Sequence, residues 1–245
     1  YQLETIKKEA PDAVVSEYPG THMWVLRVQP WIEGTKPLKK PLDDKRVRQA
    51  ISMAIDKPRL LKLAWGGFGA VATGPVPPVY DDALPPADQV KYNPEMSKKL
   101  LAEAGYPNGF SFKLTYGGAD VDLIDTSSMI AAQLAKVGIK MEINYVNVSA
   151  FNLIRSGGKI EKGAAALQTF VSSSNTLYML DSYWRTDSND FPYVVKPAGI
   201  DKLIDQATSS RDPVAITNIT KQVIKLLYDD QTVIPLWHYP RIAFV

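Results

Sequence analysis

Chemistry on a substrate needs a nucleophile, a base or a metal, and this 245-residue chain is poor in all three. It has no cysteine and two histidines, His22 and His238. Without thiols there is no thiolate metal site, no cysteine nucleophile and no disulfide. Each histidine stands inside a strand-like run, beside Met23 or Trp237, where a structural imidazole is the ordinary expectation. No Gly-x-Ser-x-Gly elbow, His-Glu-x-x-His helix, calcium loop or Walker lysine occurs. The glycines of Trp65-Gly66-Gly67-Phe68-Gly69-Ala70 follow a helical pattern and lead into prolines. A phosphate cradle instead follows a strand and opens a helix. The pairs Asp81-Asp82 and Asp229-Asp230 fall in a turn and at a helix end, which suits solvated surface better than acid–base work.

Residues that bind rather than react are better represented. Phe170-Val171-Ser172-Ser173-Ser174-Asn175 ends a strand pattern, and Tyr178 follows three places on. Hydroxyl and amide groups donate and accept without carrying charge, and Phe170 and Tyr178 would add an apolar or stacking wall. A plainer reading stands beside this one: Ser or Asn here caps the helix that runs through Leu177 and Leu180. The turn after Tyr116, Gly117-Gly118-Ala119-Asp120, is a second candidate. The loop around Trp65 is the third, and Trp184-Arg185 is a further possibility, since Arg favours planar anions and stacks on rings. Its alternative is a helix end that packs Tyr183 and Trp184 into the core.

The elements that must position these residues follow from periodicity. His22 to Val28 reads as a strand. Asp43 or Asp44 caps a helix with Val47, Ala50, Ile51, Ala54 and Ile55 on one face. Asp56 and Pro58 restart a helix through Leu60, Leu61 and Leu63, stopped at Gly66-Gly67. A proline-rich extended segment leads to Asn93-Pro94, which opens a helix ended by Gly105. Then strand 110–116, helix 120–137, strand 139–146, a short helix 150–155 and strand 164–170 alternate. That order predicts a sheet with crossover helices. Helices 200–207 and 213–228, the latter capped by Asp212, precede a last strand at 233–239.

Apolar residues make up 45% and charged residues 22%, with a net charge of +2. The chain is therefore globular, and too weakly basic to point to nucleic acid. No apolar run approaches the roughly 18 residues a membrane span needs. The first residues are not a signal peptide, and the last run is strand-like to its end. Together these suggest an internal piece of a longer chain.

Two motifs carry a resemblance. "PLDDKRVRQAISMAIDK" (41–57) and "KYNPEMSKKLLAEAGYPNGF" (91–110) stand in order, followed by a proline-started helix, Asp-Asp and "VIPLWHY". In this the chain resembles the peptide/nickel class, family 5, of extracellular solute-binding proteins of ABC transporters. Ser97 takes a place where that family usually has another small residue. The resemblance implies an α/β fold: a periplasmic binding protein-like type II lobe, a mixed sheet with crossover helices, and flanking strands from the hinge or first lobe. It implies three segments: 1–30 flanking the first lobe or hinge, 31–232 the second, C-terminal ligand-binding lobe, and 233–245 a return strand toward the first lobe.

The implied role is transport rather than catalysis. A solute, peptide-like or otherwise small and polar, would be captured by hinge closure between two lobes and delivered to a membrane permease. The setting is periplasmic, or extracellular and membrane-tethered, without cofactor, metal or nucleic acid. Arg46 and Arg48 would make surface or interlobe hydrogen bonds. The expected ligand contacts are Tyr116, Asp120, Phe170, Ser172, Ser173, Ser174, Asn175 and Tyr178, with Trp184 and Arg185 flanking. In the family a strand ending in Gly-Trp is followed by an aspartate that pairs with a peptide α-ammonium. Here Thr169-Phe170 occupies the Gly-Trp place and Ser173 the aspartate's. An unpaired buried ammonium is strongly disfavoured, so a neutral site and an amine-poor solute are expected. A hydrolase on the same scaffold, or a sensor module without transport, are the rival readings.

Overall fold

Seven residues, His22–Val28 (β2), form the strand on which the rest is assembled. Trp24, Leu26 and Val28 enter one apolar cluster, while Met23 and Val25 enter another. A strand buried on both faces has to lie inside a covered sheet. The structure, a computed structural model, describes residues 8–9, 11–12, 15–18, 22–28, 40–78, 80–118, 121–157, 164–171, 175–188, 194–231, 233–238 and 241–244.

The remaining strands are β1 (Val15–Tyr18), β3 (Ala70–Val71), β4 (Phe110–Gly117), β5 (Ile139–Val146), β6 (Ala164–Val171), β7 (Val233–His238) and β8 (Arg241–Phe244). Six of them make one mixed sheet in the order β3-β7-β2-β6-β4-β5, and β1 pairs with β8 in a separate ribbon. β4 runs parallel to β5 and β6; β2 runs antiparallel to β6 and β7. The helices are α1 (Lys45–Ala54), α2 (Lys57–Trp65), α3 (Pro94–Glu103), α4 (Val121–Ala135), α5 (Val148–Gly157), α6 (Thr176–Trp184), α7 (Ile200–Ser209) and α8 (Pro213–Asp230). Residues of α1 to α4 fill the cluster around Trp24 and Leu26, and those of α6 to α8 fill the one around Met23 and Val25.

The helices start where the sequence predicts. Asp44, Asp56, Asn93, Asn175 and Asp212 each accept a hydrogen bond from a first-turn backbone N–H. Each such cap is worth about 1 kcal/mol. The proline-rich segment is not a solvated loop, because Val76 and Leu84 are buried in the second cluster.

Both family-like motifs are structural. Arg48 is 1% exposed. Its guanidinium donates to the carbonyls of Leu42, Asp43 and Asp230 and to the Asp230 carboxylate. Gln49 donates to the Asp229 carbonyl at 2.8 Å. These two side chains thereby satisfy carbonyls left open at the end of α8. Arg46 binds Asp44 and the Glu103 carbonyl, joining α1 to the end of α3. The expected surface bonds are found for Arg46, whose side chain is half exposed, whereas those of Arg48 are corrected to buried bonds within this fold. Ser97 donates to the Ala50 carbonyl at 2.7 Å from a fully buried position, so the α1–α3 contact itself requires a small residue there.

In the sheet β2 and β7 are interior strands, paired with each other, and β2 also with β6. Their apolar residues on both faces place them there. The glycine-rich turn after α2 carries a strand, β3, that its two residues were too short to announce. Within β7, Pro235 lies where pairing with β2 slips by one residue. An interior strand tolerates a residue without an N–H at such a bulge.

Candidate functional site

Chain direction decides which end of the sheet can receive a ligand. β4 leads through α4 to β5 on one side, and β5 leads through α5 to β6 on the other. This reversal makes the gap between the carboxyl ends of β4 and β6 a topological switch point, where open α/β sheets form their crevice. Pairing bears this out: β6 pairs with β4 only over Ala164–Ala166, whereas it pairs with β2 through Val171. Among the described residues, the last part of β6 therefore has no partner strand on its β4 side.

The chemistry gathered at this end is largely uncharged. Gly117 ends β4, Val146 ends β5 and Val171 ends β6, with the beginnings of β2 and β3 and the end of β7 beside them. Close packing fixes the β4 end. A Cβ on Gly117 would lie 2.3 Å from the Phe151 Cβ of α5, so α5 sits directly on that strand. Asn175 accepts from the Tyr178 N–H at 2.9 Å. Tyr178, on the same first turn of α6, is 64% exposed, and Tyr145 and Val148 are also exposed at the end of β5 and the start of α5. Thr176 turns inward and donates to Asp82 at 3.0 Å.

The residues expected at the site are only partly brought together. Phe170 lies on the last turn of the β6 ladder, opposite Met23, and Asn175 and Tyr178 follow it. Asp120, Ser172, Ser173 and Ser174 lie outside the described residues. Tyr116 is 2% exposed and belongs to the core, its ring 5.7 Å from that of Tyr145. It supports the crevice from below. Trp184 and Arg185 do not join the crevice. They stand at the far end of α6, about 13 Å from its start. Trp184 is buried in the second cluster, with Lys196 Nζ 5.3 Å from its ring. Arg185 is engaged by Asp181 and Asp205. The plainer alternative, a helix end packed on the core, is the one found for Trp184.

The end of β7 and the start of β2 meet the loop around Trp65, the third candidate of the sequence. Trp65 lies 6.0 Å from both Trp24 and Trp237, ring to ring. One residue further, His238 is 3% exposed and, among the described residues, neither ring nitrogen has a hydrogen-bond partner. Burial holds its pKa down to about 4. Lys57, at the start of α2, is likewise buried without a partner for its amine among the described residues, and burial lowers its pKa to about 7. Among the described residues no three His, Asp or Glu side chains gather as a metal set. No helix of the described residues is long and apolar enough to cross a membrane.

Comparison with known proteins gives this architecture its class. The model of the bacterial extracellular solute-binding proteins, family 5 (middle region), matches residues 2–200, and the chain belongs to that family. Glutathione-binding protein GsiB of Escherichia coli K12 is 30% identical over 209 residues, covering 81% of this chain and 40% of that protein. The structure of HbpA2 from Haemophilus parasuis superposes with a TM-score of 0.84 at 24% identity, over 100% of this chain and 48% of that one. The ABC transporter-associated periplasmic binding protein DppA from Helicobacter pylori, in complex with a peptide, gives 0.83 at 21% identity, over 98% and 46%. The two superpositions establish a shared periplasmic binding protein-like fold. The chain spans less than half the length of each of these three relatives.

Proposed function

We propose that this chain forms one lobe of the capture protein of an ABC importer, outside the cytoplasmic membrane. It closes with a second lobe over a small solute and presents it to the permease. Closure by hinge motion is a population shift toward the liganded form. The lobe comprises the six-stranded sheet with β2 and β7 included, and the β1–β8 ribbon ties it to the remainder.

The observation that carries this reading is that β6 runs past its pairing with β4 at the topological switch point. An extended, peptide-like solute can bond to the unpartnered edge of β6 as an added strand. Side chains on the loop that follows would set specificity: Ser172, Ser173, Ser174 and Asn175 through neutral oxygens and amides, and Phe170 and Tyr178 through their rings. Asp120, which follows β4 in sequence, is the acidic candidate. The relatives' solutes, glutathione and a peptide, fit a peptide-like class. Ser173 argues against an α-ammonium anchored by this loop.

Calorimetric titration of the full-length protein with glutathione, short peptides and sugars tests this. Binding that withstands Ser173→Ala but gains strength for free-amine peptides in Ser173→Asp is expected. Tight binding of free-amine peptides that is lost in Ser173→Ala would overturn the neutral site, and no binding of any of these solutes would overturn the capture role.

A further inference from the structure

His238 is the last residue of β7, at the solute-binding end of the sheet. It is held between Ala70 of β3 and Met23 of β2, its register neighbours. Met23 is in turn the register neighbour of Phe170 on β6, which residues 172–174 follow in sequence. One imidazole is thus two strands away from the segment assigned to the solute. On one side its strand pairs, among the described residues, with β3, two residues long.

Among the described residues, the surroundings of this ring carry little charge. Ala70 and Met23 do not titrate. The buried face of α8, which packs on β7, carries Val223, Ile224, Leu227 and Tyr228, and the Tyr228 hydroxyl is occupied by the Val90 N–H. The buried face of α2, which also packs on β7, carries Leu60, Leu61 and, at its far end, Lys57. The charged residue on the Met23 face of β2 is Arg27, about 13 Å along the strand. Asp82, bonded to Thr176, belongs to the segment packed on the same core. None of these groups contributes to the histidine's lowered basicity, which burial alone produces. A proton on this ring would be an unpaired buried charge, a state proteins avoid by exposing the group.

We propose that His238 is an acid-sensitive latch: protonation drives the end of β7 out from between β3 and β2 and loosens the adjoining end of β6, weakening solute capture. This rests on the reading of that end as the solute site. In the opened form the imidazole takes a proton at its ordinary value of 6.5, while in the closed form it stays neutral down to about 4. Opening is therefore favoured as pH falls from 6.5 toward 4, and is independent of pH above that window. The shift over the window is on the order of a hundredfold in the opening equilibrium.

Hydrogen exchange of the full chain without solute, corrected for the intrinsic pH dependence, tests the latch between pH 7.5 and 4.5. Exchange in 70–71, 233–238 and 164–171 should accelerate more than tenfold relative to α3 below pH 6.5. His238→Phe and His238→Gln, which cannot take the proton, should each abolish that step; two variants are used in case one does not fold. A wild type without the local step, or a step that persists in either folded variant, overturns the proposal. Glutathione titrated at pH 7.5 and 5.0 separates the two ideas. A local step with no glutathione binding at either pH supports the latch and counts against the peptide-like site. Binding of equal strength at both pH values alongside the step overturns the claim that the latch controls capture.

Discussion

At the amino end of the parallel strands, buried polar groups meet partners. Arg48 and Gln49 collect the carbonyls that end α8, and Ser97 binds the Ala50 carbonyl. A Cβ on Gly109 would lie 1.9 Å from the Gly138 carbonyl oxygen, so the starts of β4 and β5 are locked in contact. At the carboxyl end, β6 outruns its pairing with β4, Tyr178 and Tyr145 stand in solvent, and His238 has no partner among the described residues. The motifs that place the chain in its family lie at or behind the firm end. The residues that would choose a solute lie at the other. Recognisable sequence and functional sequence are therefore different sequence here, and one can vary while the other holds.

The sharpest way to break this contrast is Arg48→Ala. It leaves Asp230 and three carbonyls without their donor and should cost about 3–5 kcal/mol in urea denaturation. Solute affinity of the folded fraction should be unchanged; a loss of affinity would mean that the two ends are not separable. Lys57 is an exception to the firm end, a buried amine without a partner among the described residues. Its proton is bound in the unfolded chain up to the ordinary value of 10.5 but in the folded one only to about 7. Stability should therefore rise with pH between 7 and 10.5, by on the order of 4 kcal/mol, and Lys57→Met should flatten that rise.

Gly117→Ala probes the other end. The added methyl collides with Phe151, and overpacking of this kind costs about 1–3 kcal/mol. Because it displaces α5 from the crevice, it should also weaken solute binding, unlike Arg48→Ala. Tyr178→Ala should change stability by less than about 0.5 kcal/mol, as expected for an exposed side chain, and should act on affinity alone. Unchanged affinity in calorimetry would remove Tyr178 from the site.

How much of this was legible in the sequence depended on range. Caps and helix faces are local, so Asp44, Asp56, Asn93 and Asp212 announce their helices. The strands 110–117 and 139–146 follow from alternation and from the glycines that precede them. Arg48 was visible as a charge, but its partner Asp230 lies 182 residues away, and no local pattern reports such a pairing. The same limit hid the interior position of β2 and β7, whose apolar character fits either a core strand or a flanking one. Trp184 and Arg185 misled because an aromatic beside a guanidinium looks the same at a cleft as at a helix end. Only the length of α6 separates the two.

The row Trp24, Trp65 and Trp237, each neighbouring pair of rings 6.0 Å apart, has one more consequence. Trp65 ends α2 immediately before the turn into β3, while the other two belong to paired strands. Excitation can pass among rings this close, so these three of the chain's five tryptophans form one coupled cluster. The molecule thus carries its own optical gauge, and a change of its colour or intensity reports movement of the turn without any attached label.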